Sequence, residues 1–231
     1  MAFLKKSLAV IFCLTLSLAI TSCGKKDELN LPEVERKQLS AASGTSRTSE
    51  EKPSKCDFVE GKKFYVYAEK GYFKNHFAPS GWMGDYGDIK FVDNYKVDPY
   101  SRRSCIRVVY TAENKQGAGW AGIYWQHPPN NWGNMPGGYN LDGAKKLTFY
   151  AKGEKGGELI TEIKMGGISG QYSDTTSYSI GPLILTPEWK EYTVNLEGED
   201  LSSVIGGFAF VVSSMENPEG ATFYIDEIAY E

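Results

Sequence analysis

Leu147-Thr148-Phe149-Tyr150-Ala151-Lys152-Gly153 is the stretch that decides the fold. Apolar side chains at 147, 149 and 151 alternate with Thr148, Tyr150 and Lys152, the period-two pattern of a strand buried on one face. Gly153-Glu154-Lys155-Gly156-Gly157 then ends it in a turn. The same alternation recurs outward in both directions. Towards the N-terminus lie Ile106-Arg107-Val108-Val109-Tyr110 and Phe64-Tyr65-Val66-Tyr67. Towards the C-terminus lie Leu159 to Met165, Tyr192-Thr193-Val194-Asn195-Leu196, Phe208-Ala209-Phe210-Val211-Val212 and Thr222-Phe223-Tyr224-Ile225. Clusters such as Met135-Pro136-Gly137-Gly138 and Asn217-Pro218-Glu219-Gly220 punctuate them. No segment carries a capped 3.6-residue period, and no repeat is visible. About ten short strands at this spacing predict an all-β, two-sheet antiparallel sandwich of the jelly-roll kind.

The ends bound the domain. Lys5 and Lys6 precede an apolar run from Ser7 to Ile20, too short to span a bilayer comfortably and built like an export signal. The run closes on Leu18-Ala19-Ile20-Thr21-Ser22-Cys23, which resembles a bacterial lipobox. That resemblance implies cleavage after residue 22, lipidation of Cys23, and anchoring to the bacterial cell envelope. Gly24 after the cysteine favours the outer membrane over the inner. Residues 23–55 are rich in Ser, Lys, Glu and Thr and read as a disordered tether. Residues 56–231 are long enough for one domain with its own core. They hold 16 of the 25 basic and 23 of the 29 acidic side chains, a net charge of −7. Such a domain repels nucleic acid and polyanionic glycans. Of the four cysteines, Cys56 and Cys105 remain after processing, an even pair in an exported chain, which predicts a disulfide. Closing a loop of about fifty residues would contribute about 4 kcal/mol.

Function is most legible in Gly117 to Tyr139, GAGWAGIYWQHPPNNWGNMPGGY. Trp120, Tyr124, Trp125, Trp132 and Tyr139 lie among the neutral amides Gln126, Asn130, Asn131 and Asn134, without a single Lys, Arg, Asp or Glu. Flat rings beside groups that both donate and accept hydrogen bonds suit a sugar. Alternation puts Tyr124 and Gln126 on one face of a strand and Trp125 on the other. Trp132 sits in a Pro/Asn/Gly loop and is expected to be exposed. Trp82, in a Gly-bounded segment, belongs either to the rim of the site or to the core. Trp189 opens a strand and is expected in the core. The candidate ligand-binding set is therefore Trp132, Tyr124, Asn131, Asn134, Gln126 and Trp82.

Three phrases together carry a family resemblance: Leu147 to Gly153, Leu185-Thr186-Pro187-Glu188-Trp189-Lys190-Glu191-Tyr192-Thr193-Val194, and Phe223-Tyr224-Ile225-Asp226-Glu227-Ile228. In order and spacing they resemble the jelly-roll carbohydrate-binding modules of the galactose-binding-like superfold, from about Phe64 to Glu231. The resemblance implies glycan binding without catalysis and a structural calcium. That ion would draw carboxylates from the last strand and from the end of the first, which here are Asp226 and Glu69.

Other motifs carry less. Gly117-Ala118-Gly119-Trp120-Ala121-Gly122 matches GxGxxG, but Ile123-Tyr124-Trp125 and Pro128-Pro129 follow where a phosphate-binding helix would have to start. His76 and His127 have no metal-ligand spacing around them. Asp226 and Glu227 are strand neighbours that should point to opposite faces, which speaks against a catalytic pair. Three readings stand: a neutral-glycan binder, a protein-interaction module using the same aromatic patch, and a small sandwich hydrolase. A ring-lined groove, a flat apolar patch or a cleft with facing carboxylates would separate them.

Overall fold

A computed structural model describes residues 55–231. The signal, the lipidation candidate Cys23 and nearly all of the tether lie outside the described residues. Thirteen strands form the described part: β1 (Phe64–Tyr67), β2 (Ala78–Gly84), β3 (Ile89–Tyr95), β4 (Cys105–Tyr110), β5 (Trp120–Gln126), β6 (Lys146–Gly153), β7 (Leu159–Ile160), β8 (Glu162–Gly166), β9 (Ser177–Ile180), β10 (Leu183–Ile184), β11 (Lys190–Asn195), β12 (Gly206–Ser213) and β13 (Ala221–Tyr230). One 3-10 turn, Tyr86–Asp88, separates β2 from β3. No helix among the described residues is long and apolar enough to cross a membrane.

Two antiparallel sheets make the expected jelly-roll sandwich. One runs β11-β6-β13-β4-β3, with β1 also paired to β13; the other runs β2-β5-β12-β8-β9. The deciding stretch is β6, paired with β13 on one side and β11 on the other. Leu147, Phe149 and Ala151 are fully buried, as their alternation requires. Rings meet across the sandwich: Phe149 lies 5.4 Å from Phe208, and Phe210 lies 5.3 Å from Phe223 at 87°. Trp125 stands edge-on to Phe208 at 5.5 Å. Aromatic pairs in such offset geometry add to the area they bury. Pro79 sits in β2, an edge strand, where a missing N–H costs no ladder bond. The run Leu159 to Met165 is not one strand but two, because β7 pairs with β10 while β8 pairs with β12 and β9.

The expected disulfide is absent: Cys56 and Cys105 are free thiols. Register explains why. Cys105 precedes Ile106, which pairs with Ile225, which in turn pairs with Ala151, so Cys105 lies level with Tyr150. The Cys56 thiol instead meets the carbonyls of Asn140 and Asp142, ahead of the first residue of β6. From Tyr150 back to Lys146 is already roughly 13 Å of strand, whereas a disulfide needs Cα atoms within about 7 Å. Burial pushes the Cys105 thiol up to about 12.

β13 carries the one irregularity that matters for the surface. Its register shifts between Asp226 and Ala229, and Glu227 takes φ +48°. The bulge sends Asp226 and Glu227 to the outer face of the six-stranded sheet and returns Ile228 to the core.

Candidate functional site

The outer face of the five-stranded sheet is built around β5. Pairing puts Gly81 and Ala209 beside Tyr124, Met83 and Val211 beside Gly122, and Ser213 beside Trp120. Cross-strand partners share a face, so Trp120, Gly122, Tyr124 and Gln126 point away from the core while Ala121, Ile123 and Trp125 fill it. Two glycines let neighbouring groups pack directly onto the strands. A Cβ on Gly122 would lie 2.5 Å from the Phe210 carbonyl and 3.1 Å from Met83 Cε. A Cβ on Gly81 would meet Tyr124 Cβ at 2.7 Å and the Trp132 ring at 2.9 Å.

The loop after β5 folds back onto this face and raises Trp132 as a wall. Its ring stands perpendicular to Tyr124, with centroids 6.1 Å apart. Trp132 is 42 % exposed. The amides hold the loop in shape. Gln126 Oε1 accepts from Ser80 Oγ at 2.9 Å, and its Nε2 donates to the Asn131 carbonyl at 2.9 Å. Asn131 Nδ2 donates to the Met135 carbonyl at 2.9 Å, and its Oδ1 accepts Gly133 N–H at 3.0 Å. A second loop braces the first: Tyr172 N–H donates to the Gly133 carbonyl at 3.0 Å. Asp174, lifted by burial above the usual carboxylate range, accepts from Ile168 N–H at 2.8 Å and from the Ile205 amide.

The sequence-derived set therefore divides. Trp132 and Asn134 are exposed on this face, and Asn134 Oδ1 accepts Trp132 N–H at 3.3 Å. Tyr124 is 5 % exposed, its hydroxyl donates to the Gly166 carbonyl, and burial holds its pKa high. It supports Trp132 and offers no free ring face. Gln126 and Asn131 are fully buried with their amides engaged, so they shape the site and do not reach a ligand. Trp82 leaves the group altogether: it pairs with Ile123 and stands edge-on to Phe91 at 6.0 Å, on the inner side of edge strand β2. Trp189 is half-buried on the other sheet and not in the core; its Nε1–H donates to the Asp98 carbonyl at 3.1 Å.

The residue that the sequence reading passed over is Trp120. It is 38 % exposed at the far end of the same face. Stepping back by twos from Gln126 and Tyr124 through Gly122 reaches it, so its signal was present in the alternation. Trp120 and Tyr124, which carries Trp132, are four residues apart on one strand, roughly 13 Å. Between them lie Gly122, Met83 and Val211, with Glu162 and Lys164 of β8 beyond. Two indoles thus flank a strip long enough for an oligomer.

The calcium implied by the resemblance meets an occupied donor set. Asp226 is fully buried; its Oδ2 accepts Ser101 N–H at 3.0 Å and its Oδ1 accepts Glu227 N–H at 2.9 Å. Burial raises its pKa to about 7 against those bonds. Glu69 grips Arg103 through both oxygens at 3.1 Å, and that guanidinium lowers its pKa. Glu227 accepts from Ser101 Oγ at 2.5 Å and from Arg102 Nε at 2.9 Å. Calcium takes six to eight oxygens, but each carboxylate here faces N–H or O–H donors of the chain itself. The residues do not fit the ion, and among the described residues no group of three His, Cys, Asp or Glu side chains is placed to hold a metal.

A recess of about 560 Å³ lies elsewhere, lined among others by Glu154, Glu158, Glu216 and Glu219. Three of these carboxylates already accept internal bonds, from Tyr224 Oη, from Lys155 N–H at 2.8 Å, and from Ser213 Oγ at 3.1 Å. No tryptophan lines it.

No protein-family model matches the chain, and no curated protein sequence matches it significantly. Solved structures do. A family 30 carbohydrate-binding module superposes with a TM-score of 0.52 at 12 % identity, over 74 % of this chain and 88 % of its own. Another structure of a family 30 module gives 0.50 at 16 % identity, over 74 % and 98 %. The family 30 module of a Clostridium thermocellum cellulosomal cellulase gives 0.49 at 14 % identity, over 74 % and 97 %. At these identities the likeness is one of fold: this chain shares the β-sandwich of carbohydrate-binding modules.

Proposed function

We propose that the outer face of the five-stranded sheet binds a neutral glycan chain along β5, stacked on Trp132 and Trp120, without cleaving it. The observation that carries this is the pair of exposed indoles on one face, with Gly122, Met83 and Val211 between them. Indoles offer apolar faces to the C–H side of pyranose rings. Polar groups of Asn134, Lys164 and Glu162 border the strip and supply hydroxyl partners. The net charge of −7 disfavours polyanionic glycans. The shared fold with carbohydrate-binding modules supports the same reading by analogy.

Binding by the full chain to a panel of neutral glucan, xylan, mannan and galactan oligosaccharides tests it. Trp132→Ala should lose about 1 to 3 kcal/mol of affinity, from the stacked area removed, or roughly five- to hundred-and-fifty-fold. Its melting temperature should fall only slightly, because much of the ring is in solvent. A variant that melts far lower while no oligosaccharide ever binds would make Trp132 a packing residue.

The proposal extends to location. Export, lipidation at Cys23 and display on the bacterial envelope, favouring the outer membrane, would place the face in contact with environmental polysaccharide. Cys23→Ala should move the protein to the soluble fraction. Retention of that variant on membranes after a high-salt wash would remove the anchor from the proposal.

A further inference from the structure

The opposite sheet carries its own aromatic surface. Tyr150 and Lys152 project from the outer face of β6 and Tyr224 from that of β13, paired in register with Lys152. Over them folds the segment from Asp98 to Arg103. Tyr100 lies flat on Tyr150, centroids 3.6 Å apart and planes within 12°, yet it is 43 % exposed. Trp189 meets Tyr100 at 6.1 Å and 63°. The indole cannot turn freely: its Nε1–H is tied to the Asp98 carbonyl, and Lys152 Nζ sits 5.3 Å from its ring centre.

The segment that delivers Tyr100 is held by force. Asp98 and Arg102 are non-glycine residues at φ +50° and +53°, each costing of order 1 kcal/mol. Ser101 and Arg102 offset that strain by bonding Asp226 and Glu227 at the β13 bulge. The two carboxylates thus act as a latch beneath the tyrosine. Strain kept in place by such bonds, at a point that displays a ring, is a mark of use.

We infer that Tyr100 and Trp189 form a second stacking site, on the outer face of the six-stranded sheet, for a neutral glycan. The charge pattern selects that class of ligand. Lys152 is paired with Asp98, Arg102 with Glu227 and Arg103 with Glu69, while Arg107 packs against the Tyr95 ring at 5.5 Å. With these cations engaged and the exposed Glu191 carboxylate beside Tyr150, no positive charge is left to draw an anionic ligand. The exposed Asp98 and Glu191 carboxylates can hold sugar hydroxyls beside the rings. This inference rests on the reading that exposed rings on this fold serve glycans. It adds a second, back-to-back grip, so that one domain holds two chains.

Calorimetric titration of the full chain with gluco-, xylo- and mannohexaose tests the inference. The expected stoichiometry is two hexaoses per chain. Tyr100→Ala should remove one site or weaken it at least fivefold, Tyr100→Phe should keep it, and the melting curve confirms that both variants fold. Trp132→Ala should remove the other site and leave this one. Unchanged stoichiometry and affinity in Tyr100→Ala, with loss of all binding in Trp132→Ala, would overturn the second site and keep the first. Loss only in Tyr100→Ala would do the reverse. No hexaose bound at Tyr100, or a protein captured through it in place of sugar, also overturns the inference.

Discussion

Single residues on the β5 face divide between those that touch solvent and those that position them, and the division follows burial. The sequence placed rings and amides together correctly, but composition cannot say which polar group is already satisfied. Gln126 and Asn131 were expected to hold a ligand and instead hold Ser80, Met135 and Gly133. Buried amides find partners inside the fold, so an amide in an aromatic segment is as ready to shape a loop as to bind. Trp82, left between rim and core by its sequence, is settled by strand parity: it is 41 % exposed but turned to the inner side of an edge. Gly81 tests how tightly Trp132 is positioned. A methyl group there meets both Tyr124 Cβ and the Trp132 ring below 3.0 Å, and only the ring can swing away. Gly81→Ala should therefore cost about 1 to 3 kcal/mol of stability and weaken any ligand that stacks on Trp132. Chemical denaturation beside a binding titration checks both; a variant matching wild type in each would show that Trp132 is not set by this contact.

Among the elements, the strands with a regular apolar row were legible, the short β1 included, and those broken by Gly, Pro or charged residues were not. β4, β6, β11, β12 and β13 announce themselves because each alternates a full apolar row. β2 and β3 escaped: β2 holds Pro79, Gly81 and Gly84, and β3 mixes Lys90, Asp93 and Asn94 with its apolar residues, so neither reads as a half-buried strand. The bulge in β13 was equally silent, since nothing in Ile225-Asp226-Glu227-Ile228 requires a left-handed Glu227. Its latch depends on the Arg102–Glu227 bond, with Glu227 8 % exposed. Removing Arg102 leaves that carboxylate without its guanidinium partner. Arg102→Ala should cost about 2 to 3 kcal/mol, and the cycle with Glu227→Gln should show coupling of about 1 kcal/mol or more. Additive losses in the two single variants would show that the latch is no unit.

For the molecule as a whole, acid should be the weak side. Lys146, Lys63 and Thr148 bond Glu231 and, against the opposing effect of burial, draw its pKa from 4.5 to about 2. Its stabilising contribution is present above about pH 4.5 and is lost as pH falls towards 2. Burial lowers both His127 and His76 below the ordinary 6.5, so their contribution is present above about pH 6.5 and drains away on acidification below it. The melting temperature should therefore fall below about pH 4.5 through Glu231, whereas between pH 7.5 and 5.5 the loss through the histidines is opposed by Asp226, which burial raises to about 7 and which stabilises the fold as it takes up its proton. His127→Gln should raise the variant's melting temperature relative to wild type on going from pH 7.5 to 5.5, and Lys63→Met with Lys146→Met should flatten the loss below 4.5. Variant profiles parallel to wild type in both windows would contradict these assignments. Another consequence lies in the order in which the chain is made. β13, which every other strand precedes, pairs with β1, β4 and β6. The six-stranded sheet thus has no centre until that segment arrives, and β1 must wait unpaired through most of the domain's synthesis. Contacts so distant in sequence close slowly. A polypeptide threaded across a membrane N-terminus first would emerge unable to complete this sheet, and it would need protection of its waiting strands until β13 had followed.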